Sequence, residues 1–274
     1  MMTPEAWRDA GQFFEWRGHR VFYRVEGTGD PLVLFHGFPT ASWDWWRVWP
    51  TLVARYRVLA LDMLGFGYSA KPFDFDYTVA HHADVYEALF AREGVARYRV
   101  LAHDLGVTIV QELLARRAPI DHVWLLNGGL FPETHRATIG QRLLASPLGP
   151  VLAPRMPFSA FARSMRAVWG ETPLDEEELR AMWRMIKASD GKRVLPKLLS
   201  YMKQRRQNRM RWVYALVDAP MPVRLINGSV DPVSGAHVVR RYRQLAGPVD
   251  VIELPGVGHY PQVEAPDAVL AAIY

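Results

Sequence analysis

Three residues carry the chemistry that this chain is best equipped to perform. They are Asp104 in Ala102-His103-Asp104-Leu105-Gly106, Asp231 in Gly228-Ser229-Val230-Asp231-Pro232, and His259 in Gly258-His259-Tyr260-Pro261. Their order matches a hydrolytic triad in which the nucleophile comes first, then the acid that orients the histidine, then the histidine. No G-x-S-x-G occurs anywhere in the chain, and the absence of cysteine excludes a thiolate nucleophile. A carboxylate in the nucleophile's place suits displacement at saturated carbon. It would give an ester on Asp104 that water activated by His259 then hydrolyses. Attack on a carboxylic ester would give an anhydride, so ordinary esterase action fits less well. Taken singly, Asp104 reads as a helix N-cap, Asp231 as a turn residue before proline, and His259 as a loop histidine. Their joint order, each after an apolar run, is what points to catalysis.

Such a nucleophile needs a sharp strand-to-helix turn, and that turn crowds its flanks. Ala102 and Gly106 supply small residues two positions either side of Asp104. The turn aims the Leu105 backbone N–H, at the helix start, toward the site; a second N–H comes from Phe38 in His36-Gly37-Phe38-Pro39. The two together would form an oxyanion hole.

The elements that position these residues follow from hydrophobic patterning. Gln12–Trp16 and Arg20–Val25 read as an antiparallel hairpin. Pro31–Phe35, Arg57–Leu61, Tyr98–Ala102, His122–Leu126, Val223–Ile226 and Val249–Leu254 are short apolar runs, as expected of strands buried on both faces. Helical patterns lie between them at Trp43–Arg55, Thr78–Glu93, Gly106–Arg117 and Gly235–Leu245. The alternation predicts an α/β fold with a mostly parallel, doubly wound sheet of eight strands. It breaks between Leu130 and Leu216, a stretch rich in Pro, Met, Arg and Trp that reads as helices, with Thr172 or Asp175 capping the one through Glu176, Glu177 and Glu178. The expected organisation is a core of residues 1–129 and 217–274, with residues 130–216 a helical lid inserted after strand 6.

Half of the 274 residues are hydrophobic and 22% are charged, the balance of a globular domain. The formal net charge is +5 and the sequence pI about 9.5. The cluster Lys203, Arg205, Arg206, Arg209 and Arg211 reads as a solvated helix face, and no nucleic-acid signature accompanies it. No secretory signal and no transmembrane run is evident, which fits a cytoplasmic protein, monomer or homodimer. No metal or cofactor is expected. The tryptophan run Trp43, Trp45, Trp46 and Trp49 reads chiefly as core.

The motifs at His36–Pro39, Asp62–Ser69, His103–Gly106 and Gly258-His259 resemble the α/β-hydrolases with an aspartate nucleophile, which include epoxide hydrolases and haloalkane dehalogenases. Asn127–Arg136, Tyr201–Arg205 and Arg211-Trp212 are similar to the group formed by mesoderm-specific transcript protein and its bacterial relatives. The resemblance covers nearly the whole chain. It implies an epoxide hydrolase with a small apolar substrate, in which Tyr201 is the lid acid for the departing alkoxide. A second lid tyrosine has no counterpart; Phe158 and Phe161 stand in its region. A haloalkane dehalogenase is the alternative, although Leu105 and Phe38 occupy the places where that family carries halide donors, and Trp169 or Trp183 would have to substitute. A catalytically silent scaffold is the non-enzymatic alternative. His36, Trp45, Trp183 and Tyr214 are the expected substrate-binding side chains.

Overall fold

The computed structural model describes residues 2–274. Eight strands form one sheet: β1 (Gln12–Trp16), β2 (His19–Glu26), β3 (Pro31–Phe35), β4 (Arg57–Leu61), β5 (Tyr98–Ala102), β6 (Ile120–Leu125), β7 (Val223–Gly228) and β8 (Asp250–Leu254). Their spatial order is β1-β2-β4-β3-β5-β6-β7-β8. β2 pairs antiparallel with β1 and β4, and every other pairing is parallel. The apolar runs form strands as expected, because a parallel strand covered on both faces leaves no polar position to interrupt it; β8 departs from that burial, since it lies at the sheet edge with Asp250 and Glu253 exposed.

The order of connection decides where a ligand can sit. The chain leaves β3 for β4 on one side and then crosses to β5 on the other. At this reversal the connections diverge and leave a crevice beyond the strand ends. Phe35 and Ala102 are registered across the β3–β5 pair. The turns His36–Phe38 and His103-Asp104 thus leave the sheet side by side.

The helix Val79–Glu93 begins at Thr78, whose hydroxyl accepts from His81 N–H, and ends at Gly94 with φ of 65°. The helix Leu105–Ala115 is buried on every side through Leu114, so it forms the centre of its layer. The region 43–55 is not one helix: a 3₁₀ turn, Ser42–Trp45, precedes a separate short helix, Trp49–Val53. Pro50 has no N–H to continue an earlier helix and instead sits in the first turn of a new one.

Between β6 and β7 the chain forms helices at Ile139–Leu144, Gly149–Arg155, Phe158–Arg166, Glu176–Lys187, Leu195–Leu198, Tyr201–Gln207 and Arg209–Val217. Asp175, rather than Thr172, caps Glu176–Lys187 through Glu177 N–H. Glu178 is buried: it accepts from Trp46 Nε1 at 3.0 Å and forms an ion pair with Arg47 at 3.1 Å. The tryptophan run thereby ties this insert to the core. The last helix lies along Leu105–Ala115, where Glu112 accepts from Trp212 Nε1 and Arg211. No helix among the described residues is long and apolar enough to cross a membrane.

Candidate active site

Asp104 occupies a backbone conformation that L-residues seldom adopt, with φ of 47° and ψ of −108°. A turn this tight tolerates no bulk beside it. A Cβ at Gly37 would stand 2.6 Å from Asp104 Cβ, and one at Gly106 would overlap the Phe35 carbonyl. The position of Asp104 is therefore built by the glycines around it as much as by the aspartate.

Its two oxygens have different surroundings. Phe38 N–H donates to Asp104 Oδ1 at 2.9 Å, and Asp104 Oδ2 lies 3.6 Å from His259 Nε2. Leu105 N–H, in the first helical turn, has no acceptor among the described residues. On its other side His259 Nδ1 donates to Asp231 Oδ2 at 2.7 Å. Asp231 also accepts from Val233 N–H, from Ser234 N–H and hydroxyl, and from Asn127 Nδ2. This saturation fixes the carboxylate and, through it, the imidazole tautomer. The histidine loop is held in turn by Glu264, whose carboxylate accepts from Gly170, Gly258 and Tyr260 N–H at 2.7–2.8 Å. His259 N–H donates to Val168 O at 2.8 Å, so the insert and the histidine loop are joined by backbone bonds.

Electrostatics follow from this geometry. Burial alone would raise Asp104, but the bond and charge of His259, together with Arg205, hold it well below the usual carboxylate range. Burial likewise opposes the ionisation of Asp231, yet His259 and its other donors bring it to about 2. Burial disfavours the His259 cation, but two flanking carboxylates outweigh that and lift it to about 10. The two carboxylates thus favour the cationic form of the imidazole that lies between them.

The structure brings Asp104, Asp231, His259, Phe38 and Leu105 together. Tyr201 is buried nearby, its ring 6.2 Å from that of Phe38 and its hydroxyl without a partner among the described residues. Burial and the Asp104 charge push that hydroxyl far above the ordinary phenol range, so it is a neutral O–H donor. An apolar cavity of about 300 Å³ opens against Phe38, His259 and Tyr260 and runs between insert side chains including Leu144, Met165 and Val168.

Four expected substrate contacts lie elsewhere. His36 is a strut inside the protein: Nε2 accepts from Met63 N–H at 3.0 Å, and Nδ1 bonds to Gly37 O at 2.9 Å. Trp45 is wholly buried in the core. Trp183 does not line the cavity but packs within the insert, its ring 5.4 Å from Phe161 and covered by Lys192. Tyr214 is 55% exposed because its helix lies on the outer layer, beside a surface cleft at Leu114 and Arg117.

Two residues in the site escape a sequence reading. Arg205 belongs to a cluster expected to be solvated, yet it is only 2% exposed. Its Nε donates to Thr108 Oγ1 at 2.7 Å and Nη2 to the Asp104 carbonyl at 3.2 Å, and it stacks on Tyr201. It has no carboxylate within ion-pair distance among the described residues, so Asp104 is the anion it serves through space. The i,i+4 spacing from Tyr201 was the only signal for its position. His135 is the second: both ring nitrogens are buried without partners, and burial together with Arg205 lowers it to about 4. The other cluster members behave as expected on an outer face, Arg209 pairing with Glu133 and Arg211 with Glu112.

The family model for the alpha/beta hydrolase fold matches residues 30–266. The chain belongs to the α/β-hydrolase fold family. This α/β hydrolase is 40% identical to the human mesoderm-specific transcript homolog protein, over 97% of this chain and 85% of that protein. It is 37% identical to the LipZ protein of Mycobacterium tuberculosis over 98% and 96% of the two chains. A solved alpha/beta hydrolase fold protein from Burkholderia ambifaria superposes with a TM-score of 0.82 at 25% identity, covering 97% of each chain. A solved haloalkane dehalogenase from Bradyrhizobium elkani and an epoxide hydrolase each superpose with a TM-score of 0.80, at 23% and 20% identity and over 95–96% of each chain; at that identity the likeness concerns the fold.

Proposed function

We propose that this α/β hydrolase opens epoxides to diols through a covalent ester on Asp104. The observation that carries the reading is the division of labour in that carboxylate. Oδ1 is engaged by Phe38 N–H, while Oδ2 faces His259 across a 3.6 Å gap. Oδ2 attacks an epoxide carbon, the C–O bond breaks, and the departing alkoxide takes a proton from Tyr201. Asp104 is then a neutral ester and His259 has lost one of its two counter-charges. Its pKa falls, its proton restores Tyr201, and the neutral imidazole can accept a proton from water. The resulting hydroxide attacks the Asp104 carbonyl carbon, and Phe38 and Leu105 N–H groups stabilise the charge that develops on Oδ1. Collapse releases the diol oxygen, which takes a proton from His259, and the carboxylic acid left on Asp104 then gives its proton to the imidazole and restores the ion pair.

Single turnover of an epoxide panel in ¹⁸O-water, followed by peptide mass analysis, tests this route. Label should enter the Asp104 carboxylate, with the diol's new oxygen coming from the protein. Label that goes directly to the diol and never reaches Asp104 would exclude the ester. A second reading, an alkyl halide as electrophile, is favoured by Trp169: its buried Nε1 has no acceptor, and its ring stacks on Tyr260 beside His259. Halide release measured on a matched panel chooses between the two. Asp104→Ala addresses the silent-scaffold alternative, because a scaffold keeps its cellular effect when that carboxylate is removed.

A further inference from the structure

The chain's formal charge of +5 is not spread over its surface. Between Thr134 and Gly170 there are five arginines, no lysine and no acidic residue. The remaining 28 basic residues are matched by the 28 acidic residues of the rest of the chain, so the whole excess charge lies in this one segment. Arg136, Arg142, Arg155 and Arg163 are exposed and have no acidic partner among the described residues; only Arg166 has one, Glu176 at 2.8 Å.

The same segment carries exposed aliphatic side chains. Ile139 is 76% exposed, Leu143 48%, Leu148 62% and Val151 56%; among the described residues only Val230 is a comparable exposed aliphatic elsewhere. They lie on the helices Ile139–Leu144 and Gly149–Arg155 and the turn between them. Leu143 belongs both to this exposed face and to the lining of the cavity that reaches His259. Exposed apolar side chains, unpaired cations and the cavity-lining Leu143 and Arg155 thus belong to one segment of the chain.

We propose that this face seats the enzyme on an anionic lipid surface, so that an apolar substrate passes from the bilayer past Leu143 into the cavity. Aliphatic side chains that enter the interface with arginines around them are the pattern of a peripheral membrane contact. A second copy of the chain fits poorly, because a two-fold contact would oppose the same acid-free arginine faces. The membrane contact stands independently of the reaction; only the delivery of substrate rests on the hydrolase reading.

The test is co-sedimentation with phosphatidylcholine vesicles, with and without phosphatidylglycerol, across a salt series. The wild type should bind the anionic vesicles in a salt-sensitive way and the neutral ones weakly. Ile139→Asp combined with Leu148→Asp and Val151→Asp, none of which lines the cavity, should weaken binding by about tenfold or more. Arg142→Glu with Arg163→Glu should do the same. Both variants should keep the wild-type melting temperature and its turnover of a water-soluble substrate. Asp104→Asn, silent in the proposed reaction, should bind vesicles like the wild type, so a failed hydrolase assay and a failed vesicle assay remain separate results. Absence of binding to anionic vesicles, or equal binding by the variants, overturns the proposal. So does a dimer seen by sedimentation velocity that the aspartate variant abolishes while vesicles are ignored.

Discussion

Replacing His259 with glutamine separates the two proposed chemical steps, because its work as general base comes only after Asp104 has reacted. Asp104 Oδ2 needs no general base to attack, whereas hydrolysis of the ester needs a neutral imidazole at the 3.6 Å gap it faces. Loss of a positioned general base slows the dependent step by about 10²–10⁴, or about 3–5 kcal/mol of barrier. The variant should therefore consume one substrate per active site in a burst, release no diol and then stall. Intact-protein mass should increase by the mass of one substrate, with the adduct on the peptide containing Asp104. His259 also helps to keep Asp104 ionised, so the burst rate should fall at low pH and recover as pH rises; Arg205 remains to assist. A substrate turned over by the wild type is required, and quenched-flow with mass detection is the assay. Steady multiple turnover by His259→Gln, or no adduct at any pH between about 6 and 9, well above the carboxylate range, would refute the reasoning.

Three further outcomes follow from the same geometry. Tyr201→Phe removes a hydroxyl that has no partner, so the melting temperature should hold or rise while the alkylation burst with epoxides slows by about 10²-fold or more; halide release should be unaffected, and unchanged epoxide kinetics would remove Tyr201 from the mechanism. Arg205→Met strips donors from Thr108 and the Asp104 carbonyl and should cost about 1–3 kcal/mol in chemical denaturation. It should also move the acid limb of the alkylation rate to higher pH, and Arg205→Lys should restore that limb; lowered activity with an unmoved limb would mark a purely structural role. Because the folded site raises His259 to about 10, the stability gained from its ionisation is complete below about pH 6.5 and is lost as pH rises through about 10. The wild type's stability advantage over His259→Gln, measured by denaturant titration, should therefore shrink across that window, and an advantage that grows would contradict the ion triad.

Much of the scaffold can be read from local sequence because its signals are local. A strand covered on both faces must be continuously apolar over its short length, and β3 to β6 announce themselves in that way. The turn at Asp104 demands small flanking residues, and Gly37 and Gly106 supply the space. The long run Trp43–Arg55 misled because an apolar aromatic stretch has no period of its own; Pro50 and the anchoring of Ser42 N–H on Asp62 decide that it breaks.

The sequence by itself determined the α/β architecture and the placing of Asp104, Asp231, His259 and the backbone N–H groups of Phe38 and Leu105 just beyond strand ends, since each depends on the residue types within a few positions of a strand end. Only the tertiary structure decided what faces that centre from the insert. Short helices broken by proline can present any side to the core, and their packing buries Arg205 beside Asp104 while leaving Tyr214 in solvent. Pairing of β3 with β4 turns His36 into a strut, because the backbone N–H of Met63, just past β4, reaches its ring. Asp104 could be recognised from its neighbours in the chain, but the charges of Arg205 and His259 that hold it ionised come from residues about a hundred and more positions away, which only folding brings near.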